Sequence, residues 1–144
     1  MKVRIKKLND NAVMPTKAHA TDFGYDVVAT SREEIAPNVW KYGIGLAFEL
    51  EPTSMSYNIA ISFRPRSSIY KTGLVLSNCI GTIDKDYRGE VSAIFYKVAE
   101  GEIYEVGDRI GQIHLSLEGL MEFEWADSLS DTERGTGGYG STGR

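Results

Sequence analysis

The feature that most constrains this chain is a hydrophobic alternation of period two, repeated in short runs. Val3 and Ile5 stand between Lys2, Arg4 and Lys6, and Leu46, Phe48 and Leu50 alternate with smaller or charged neighbours. Ile59, Ile61 and Phe63 repeat the pattern, as do Ile113, Leu115 and Leu117, and then Met121, Phe123 and Trp125. Successive side chains of a strand point to opposite faces, so each run predicts a strand with one face on a core. Clusters of Gly, Pro, Asn and Asp separate the runs, which is the pattern of a β-sandwich or barrel. Helical periodicity is scarce. Ser67 to Gly73 is the best candidate, with a serine as N-cap and a glycine as stop.

At 144 residues the chain is long enough for one domain with a real core. Its net charge of −4 argues against stable nucleic-acid binding and against a membrane surface, since both need a basic face. Local Arg and Lys residues still suffice for a phosphate ligand. The single cysteine, Cys79, leaves no disulfide within the chain and no cysteine metal cage, and its apolar surroundings predict a small buried hydrophobe. The alternating N-terminus lacks the apolar stretch of a signal peptide, and no run approaches the roughly 18 apolar residues of a membrane span, so a soluble cytoplasmic protein is expected.

Five segments carry possible chemistry. From Arg134 the chain reads RGTGGYGSTGR, whose five glycines cannot support a packed element. It is either a mobile spacer or a flap whose backbone N–H groups, arginine and hydroxyls close over an anion. It is not a Walker loop, because no Gly-Lys-Ser/Thr ends it. Arg64-Pro65-Arg66-Ser67-Ser68 lies where a strand meets the short helix, and reads as a phosphate site at a helix N-terminus or as a capped helix with solvated arginines. Gly81-Thr82-Ile83-Asp84-Lys85-Asp86-Tyr87-Arg88-Gly89 reads as a hairpin turn, or as a site in which Asp84 activates a water and Tyr87 offers a flat face to a sugar. Gly107 to Gln112 and Phe23 to Val27 are weaker, although Gln112 should point away from Ile113 and toward a polar ligand.

Taken in order, ATDFGYDV, RPRSSIYKTGL, NCIGTIDKDYRG, GDRIGQ and RGTGGYGSTG resemble the five motifs of the trimeric dUTP diphosphatases, across residues 20 to 144. The resemblance implies an all-β, distorted jelly-roll (β-clip) subunit with one short helix. It implies a domain over residues 1–126, a flexible glycine-rich C-terminal arm over 127–144, and a homotrimer whose active sites are shared between subunits. It implies hydrolysis of dUTP to dUMP and diphosphate, with Asp84 as general base. Asn78, Gly81, Ile83, Tyr87 and Tyr139 would hold the base and sugar. Arg66, Ser67, Ser68, Gln112, Arg134, Gly138, Ser141 and Thr142 would hold the phosphates. Mg²⁺ would sit mainly on the substrate phosphates, with Asp26 near its water shell. Gly111 stands where the family usually has Ala, a minor change, and Thr21-Asp22-Phe23 lies where small residues are common. His19 and His114 match no catalytic position and read as structural or surface residues. The related dCTP deaminases need a glutamate on the strand after the hairpin, where this chain has Ile94.

Overall fold

A computed structural model describes residues 2–51 and 57–137. The described residues form ten strands and a single turn of 3-10 helix. The strands are β1 (Val3–Lys7), β2 (Tyr25–Val28), β3 (Ser31–Ala36), β4 (Val39–Gly43), β5 (Leu46–Leu50), β6 (Tyr57–Pro65), β7 (Leu74–Leu76), β8 (Gly81–Asp84), β9 (Ser92–Lys97) and β10 (Arg109–Gly119). All pairings are antiparallel, in a four-stranded sheet ordered β2-β10-β6-β8, a second ordered β3-β4-β9-β7, and a pair β1-β5. The expected all-β class is therefore what the chain adopts.

The core joins the sheets through many of the residues that the alternation selected, but Leu115 and Leu117 are 38 and 57 % exposed, where β10 runs past the core. Ile59, Ile61, Phe63 and Ile113 are buried from the first sheet, and Leu46, Phe48 and Leu50 from β5. From the second sheet Tyr42 and Phe95 are fully enclosed, with Tyr104 from the loop before β10 beside them. The three rings pack edge to face, with centroids 5.7 to 6.1 Å apart, which suits their quadrupoles. Burial pushes the Tyr42 phenol up to about 12, and its hydroxyl stays protonated to donate to the Tyr104 carbonyl at 3.0 Å.

Four expectations need correction. The alternating Met121, Phe123 and Trp125 form no strand. They stand 73, 83 and 104 % exposed beyond the end of β10, because the described part of the chain offers them no strand to pair with. Cys79 is exposed, with φ of 60°, because the chain reverses there between β7 and β8 and its apolar neighbours do not close over it. The helix is a five-residue 3-10 turn, Ser67–Lys71, preceded by an extended Arg66 that makes no side-chain cap bond. So short a turn contributes little dipole to an anion site. Its stop is as expected, since Gly73 takes φ of +67°.

Gly111 is not a minor change either. A Cβ there would fall 2.2 Å from the Phe63 ring and 2.7 Å from the backbone oxygen of Arg64. Phe63 fills the space that a methyl would need. Gly111→Ala should therefore destabilise the fold by about 1–3 kcal/mol, as overpacking does. Phe63→Leu relieves the ring contact but not the backbone contact, so the double variant should recover only part of that loss, which urea denaturation of the four proteins would measure.

Candidate functional site

The phosphate-side candidates gather at one end of the first sheet. Asp26 on β2 pairs with Gln112 on β10, and Gln112 pairs with Arg64 on β6, so the three side chains share one face. The Asp26 side chain is only 10 % exposed. Its Oδ2 accepts from Arg109 at 3.0 Å, its Oδ1 accepts from Gln112 at 3.5 Å, and the Arg66 guanidinium stands 3.9 Å away. Arg109 was not among the expected site residues. It lies 83 residues from Asp26, and only the pairing of β10 with β2 brings the two together. Ser67 is exposed and Ser68 half-buried on the 3-10 turn beside this cluster.

His114 follows Gln112 by two residues on the same face. It is buried, and the Phe23 ring lies tilted across it with centroids 4.8 Å apart. Phe23, the departure in the first motif, thus packs on a histidine rather than on the strand core. Burial lowers the His114 pKa and the Arg64 charge lowers it further. The neutral imidazole is favoured in the folded state, so stability is complete above the ordinary histidine range. It falls as pH drops below about 6.5 toward the depressed native pKa, because the unfolded chain then binds the extra proton. Denaturation midpoints measured from pH 7.5 down to 5 should fall, and His114→Gln should flatten that slope. His19 is exposed.

The base-side candidates lie on the β7–β8 turn, on β8 and on the loop beyond it. Among the described residues β8 pairs with β6 and with neither β7 nor β9, so the segment crosses between the two sheets and is not the hairpin expected from its turn residues. Asn78 is exposed at the turn and its amide flanks Gly81, where a Cβ would stand 3.5 Å from Nδ2. Gly81 is buried, while Ile83 packs against the core. Beyond Asp84 the chain turns through a Tyr87 N–H bond to the Asp84 carbonyl at 3.1 Å. The Tyr87 hydroxyl donates to the Glu90 carbonyl at 3.1 Å, which fixes its ring over Gly89. A Cβ at Gly89 would fall 2.5 Å from Cζ of that ring, so only glycine lets it lie there. Asp84 differs from Asp26 in kind. It is exposed, and its carboxylate has no hydrogen bond or ion pair among the described residues. It opens onto a polar pocket of about 290 Å³ whose lining includes Ser62, Thr82, Asp86, Ser116 and Glu118.

The two groups do not meet within one chain. Asp84 lies opposite Ala60, and Gln112 lies opposite Arg64. Four residues of β6 span about 13 Å and two strand steps add about 10 Å sideways, which puts Asp84 and Gln112 about 16 Å apart. Arg134 is exposed and its Nε donates to the Gly137 carbonyl at 2.9 Å within its own turn. Gly138, Tyr139, Ser141 and Thr142 lie outside the described residues. On β9 the core-facing residues are Ala93 and Phe95, and Ile94 is half-buried on the opposite face. None of these is acidic.

The dUTPase family model matches residues 10–143. The chain belongs to the dUTPase family. It is 38 % identical to a deoxyuridine 5'-triphosphate nucleotidohydrolase of Nautilia profundicola over 148 aligned residues, covering the whole of both chains. It is 40 % identical to one of Wolinella succinogenes, over all of this chain and 95 % of that one. Among solved structures, a dUTPase of Staphylococcus bacteriophage 80alpha with dUpNHpp shares the fold, with a TM-score of 0.82 at 23 % identity and 99 % of each chain covered. A dUTPase from phage phi11 of S. aureus, described as coordinating a structural Mg(II) ion, aligns at a TM-score of 0.73 and 19 % identity over 91 % of this chain and all of that one. Among the described residues, no helix of this family member is long and apolar enough to cross a membrane.

Proposed function

We propose that the chain hydrolyses dUTP to dUMP and diphosphate, with Asp84 as general base. The observation that carries this reading is the exposed carboxylate of Asp84, which has no partner among the described residues and lies on the same segment between β7 and β9 as Asn78 and Tyr87. An unpaired carboxylate can hold a water and take its proton as the oxygen bonds to the α-phosphorus. The bond from that phosphorus to the bridging oxygen breaks in line, diphosphate departs, and Asp84 returns the proton to solvent. Asn78 and the backbone at Gly81 and Ile83 read the uracil edge, and a mismatched base leaves buried polar groups unpaired. The Tyr87 ring stacks under the deoxyribose, where a 2′-hydroxyl buried without a partner costs about 1–3 kcal/mol.

Arg66, Ser67, Ser68 and Gln112 hold the phosphates. Arg134, Gly138, Ser141 and Thr142 of the arm clamp their far end while Tyr139 stacks over the base. Among the described residues no three His, Cys, Asp or Glu side chains form a metal-holding group. Mg²⁺ would rest chiefly on phosphate oxygens and water, with Asp26 near its water shell. The ion supplies charge neutralisation on the phosphate chain. A homotrimer closes the gap between the two half-sites by setting the Asp84 end of β8 in one subunit against the Gln112 end of the sheet in another. The division into a domain of residues 1–126 and an arm of 127–144 follows from that assembly. The exposed Met121, Phe123 and Trp125 fit an assembled state, since so large an apolar run marks an interface. In a cytoplasmic setting the reaction would keep uracil out of DNA and supply dUMP for dTTP synthesis.

Diphosphate release with Mg²⁺, measured side by side on dUTP, dTTP, dCTP and UTP, tests the reading. Turnover confined to dUTP is the expected result. Equal turnover of UTP would remove the sugar role of Tyr87, and no turnover of any would leave a binding module.

A further inference from the structure

We propose that Arg64 is a further phosphate-binding residue, a cation beside the half-site formed by Asp26, Gln112 and Arg66. The inference rests on the reading that the phosphate chain lies over Gln112. Arg64 is the direct cross-strand partner of Gln112, as Asp26 is on the other side, so the three side chains rise from one face in a row. Pro65 separates Arg64 from Arg66 at the end of β6. Arg109 and Arg66 both lean on Asp26, at 3.0 and 3.9 Å, and one carboxylate offsets part of their charge. Arg64 is exposed and has no ion pair among the described residues.

Arg64 stands near like charge and has no carboxylate partner among the described residues. Arg66 is two residues away, and the nearby His114 is held more neutral by the Arg64 charge. An exposed strand position gains nothing in sheet pairing from an arginine. A polyanion over Gln112 reverses the sign of the argument, because a guanidinium can meet phosphate oxygens with paired N–H donors. Without Arg64 the remaining guanidiniums share one carboxylate and leave a single net positive charge against a triphosphate.

The test compares wild type, Arg64→Gln and Arg64→Lys. Calorimetry measures affinity for inorganic triphosphate and for dUMP, steady-state kinetics give KM and kcat for dUTP, and sedimentation gives the assembly state. Loss of one charge-assisted contact should weaken inorganic triphosphate binding and raise the KM for dUTP about tenfold in Arg64→Gln. The change should fall on KM rather than kcat, leave dUMP affinity near wild type, and be partly recovered by Arg64→Lys. Unchanged triphosphate affinity in Arg64→Gln overturns the proposal. If that variant also loses assembly, Arg64 belongs to a contact between copies instead. A wild type that binds triphosphate through Arg64 but does not hydrolyse dUTP would sink the hydrolase reading alone.

Discussion

Asp84→Asn should bind dUTP with near wild-type affinity and hydrolyse it about 10²–10⁴ times more slowly, the range a general base contributes. The substitution keeps the shape of the side chain and removes its capacity to take a proton. Its structural cost should be small, because Asp84 is exposed and its carboxylate holds no partner among the described residues. Thermal stability unchanged from wild type would confirm that the loss is chemical. The matching change at Asp26 should behave differently. Asp26→Asn weakens the charge on which Arg109 and Arg66 converge, so it should disturb binding as well as turnover. Single-turnover kinetics alongside equilibrium binding would separate the two. Wild-type turnover by Asp84→Asn would take that residue out of the mechanism, and the polar pocket beside it would then need another base.

How much of this could be read from the chain depended on how local the cause was. Strands β5, β6 and β10 were legible because alternation is a property of neighbouring residues. Met121, Phe123 and Trp125 carry the same alternation and still form no strand, because a strand needs a hydrogen-bonding partner that periodicity does not supply. Cys79 was misplaced for a related reason. Its apolar neighbours hid a chain reversal that shows only in its positive φ. Asp84 and Tyr87 were legible through an ordered motif on one short segment, although the hairpin expected there is absent, because β8 pairs with the distant β6. The role of Arg109 was not, since its bond to Asp26 depends on the register between β2 and β10, which includes an irregularity between Arg109 and Gly111. The clash that forbids alanine at Gly111 is also long-range, set by the ring of Phe63 across the sheet.

The second large effect concerns assembly. Asp84→Asn and Arg66→Ala should each be nearly inactive as pure proteins, and activity should return when the two are unfolded, mixed and refolded together. The reason is the separation of about 16 Å between Asp84 and Gln112 along and across the sheet. A base must stand within hydrogen-bond reach of the water that it activates, and that water within reach of the phosphorus. Residues so far apart on one rigid sheet cannot serve the same phosphate, whereas residues on two subunits of a closed ring can. In a mixed trimer, a site that takes its base from an Arg66→Ala subunit and its phosphate end from an Asp84→Asn subunit has both residues intact. Random mixing of equal amounts makes about one quarter of the sites intact, so about a quarter of wild-type activity should return. Sites built within one chain would carry one defect each whatever the mixture, and no activity would return. A recovery near one quarter would therefore place the base and the phosphate clamp on different subunits, while a flat result in refolded, assembled protein would require Asp84 and the phosphate end of a single chain to approach each other by a movement of the sheet itself.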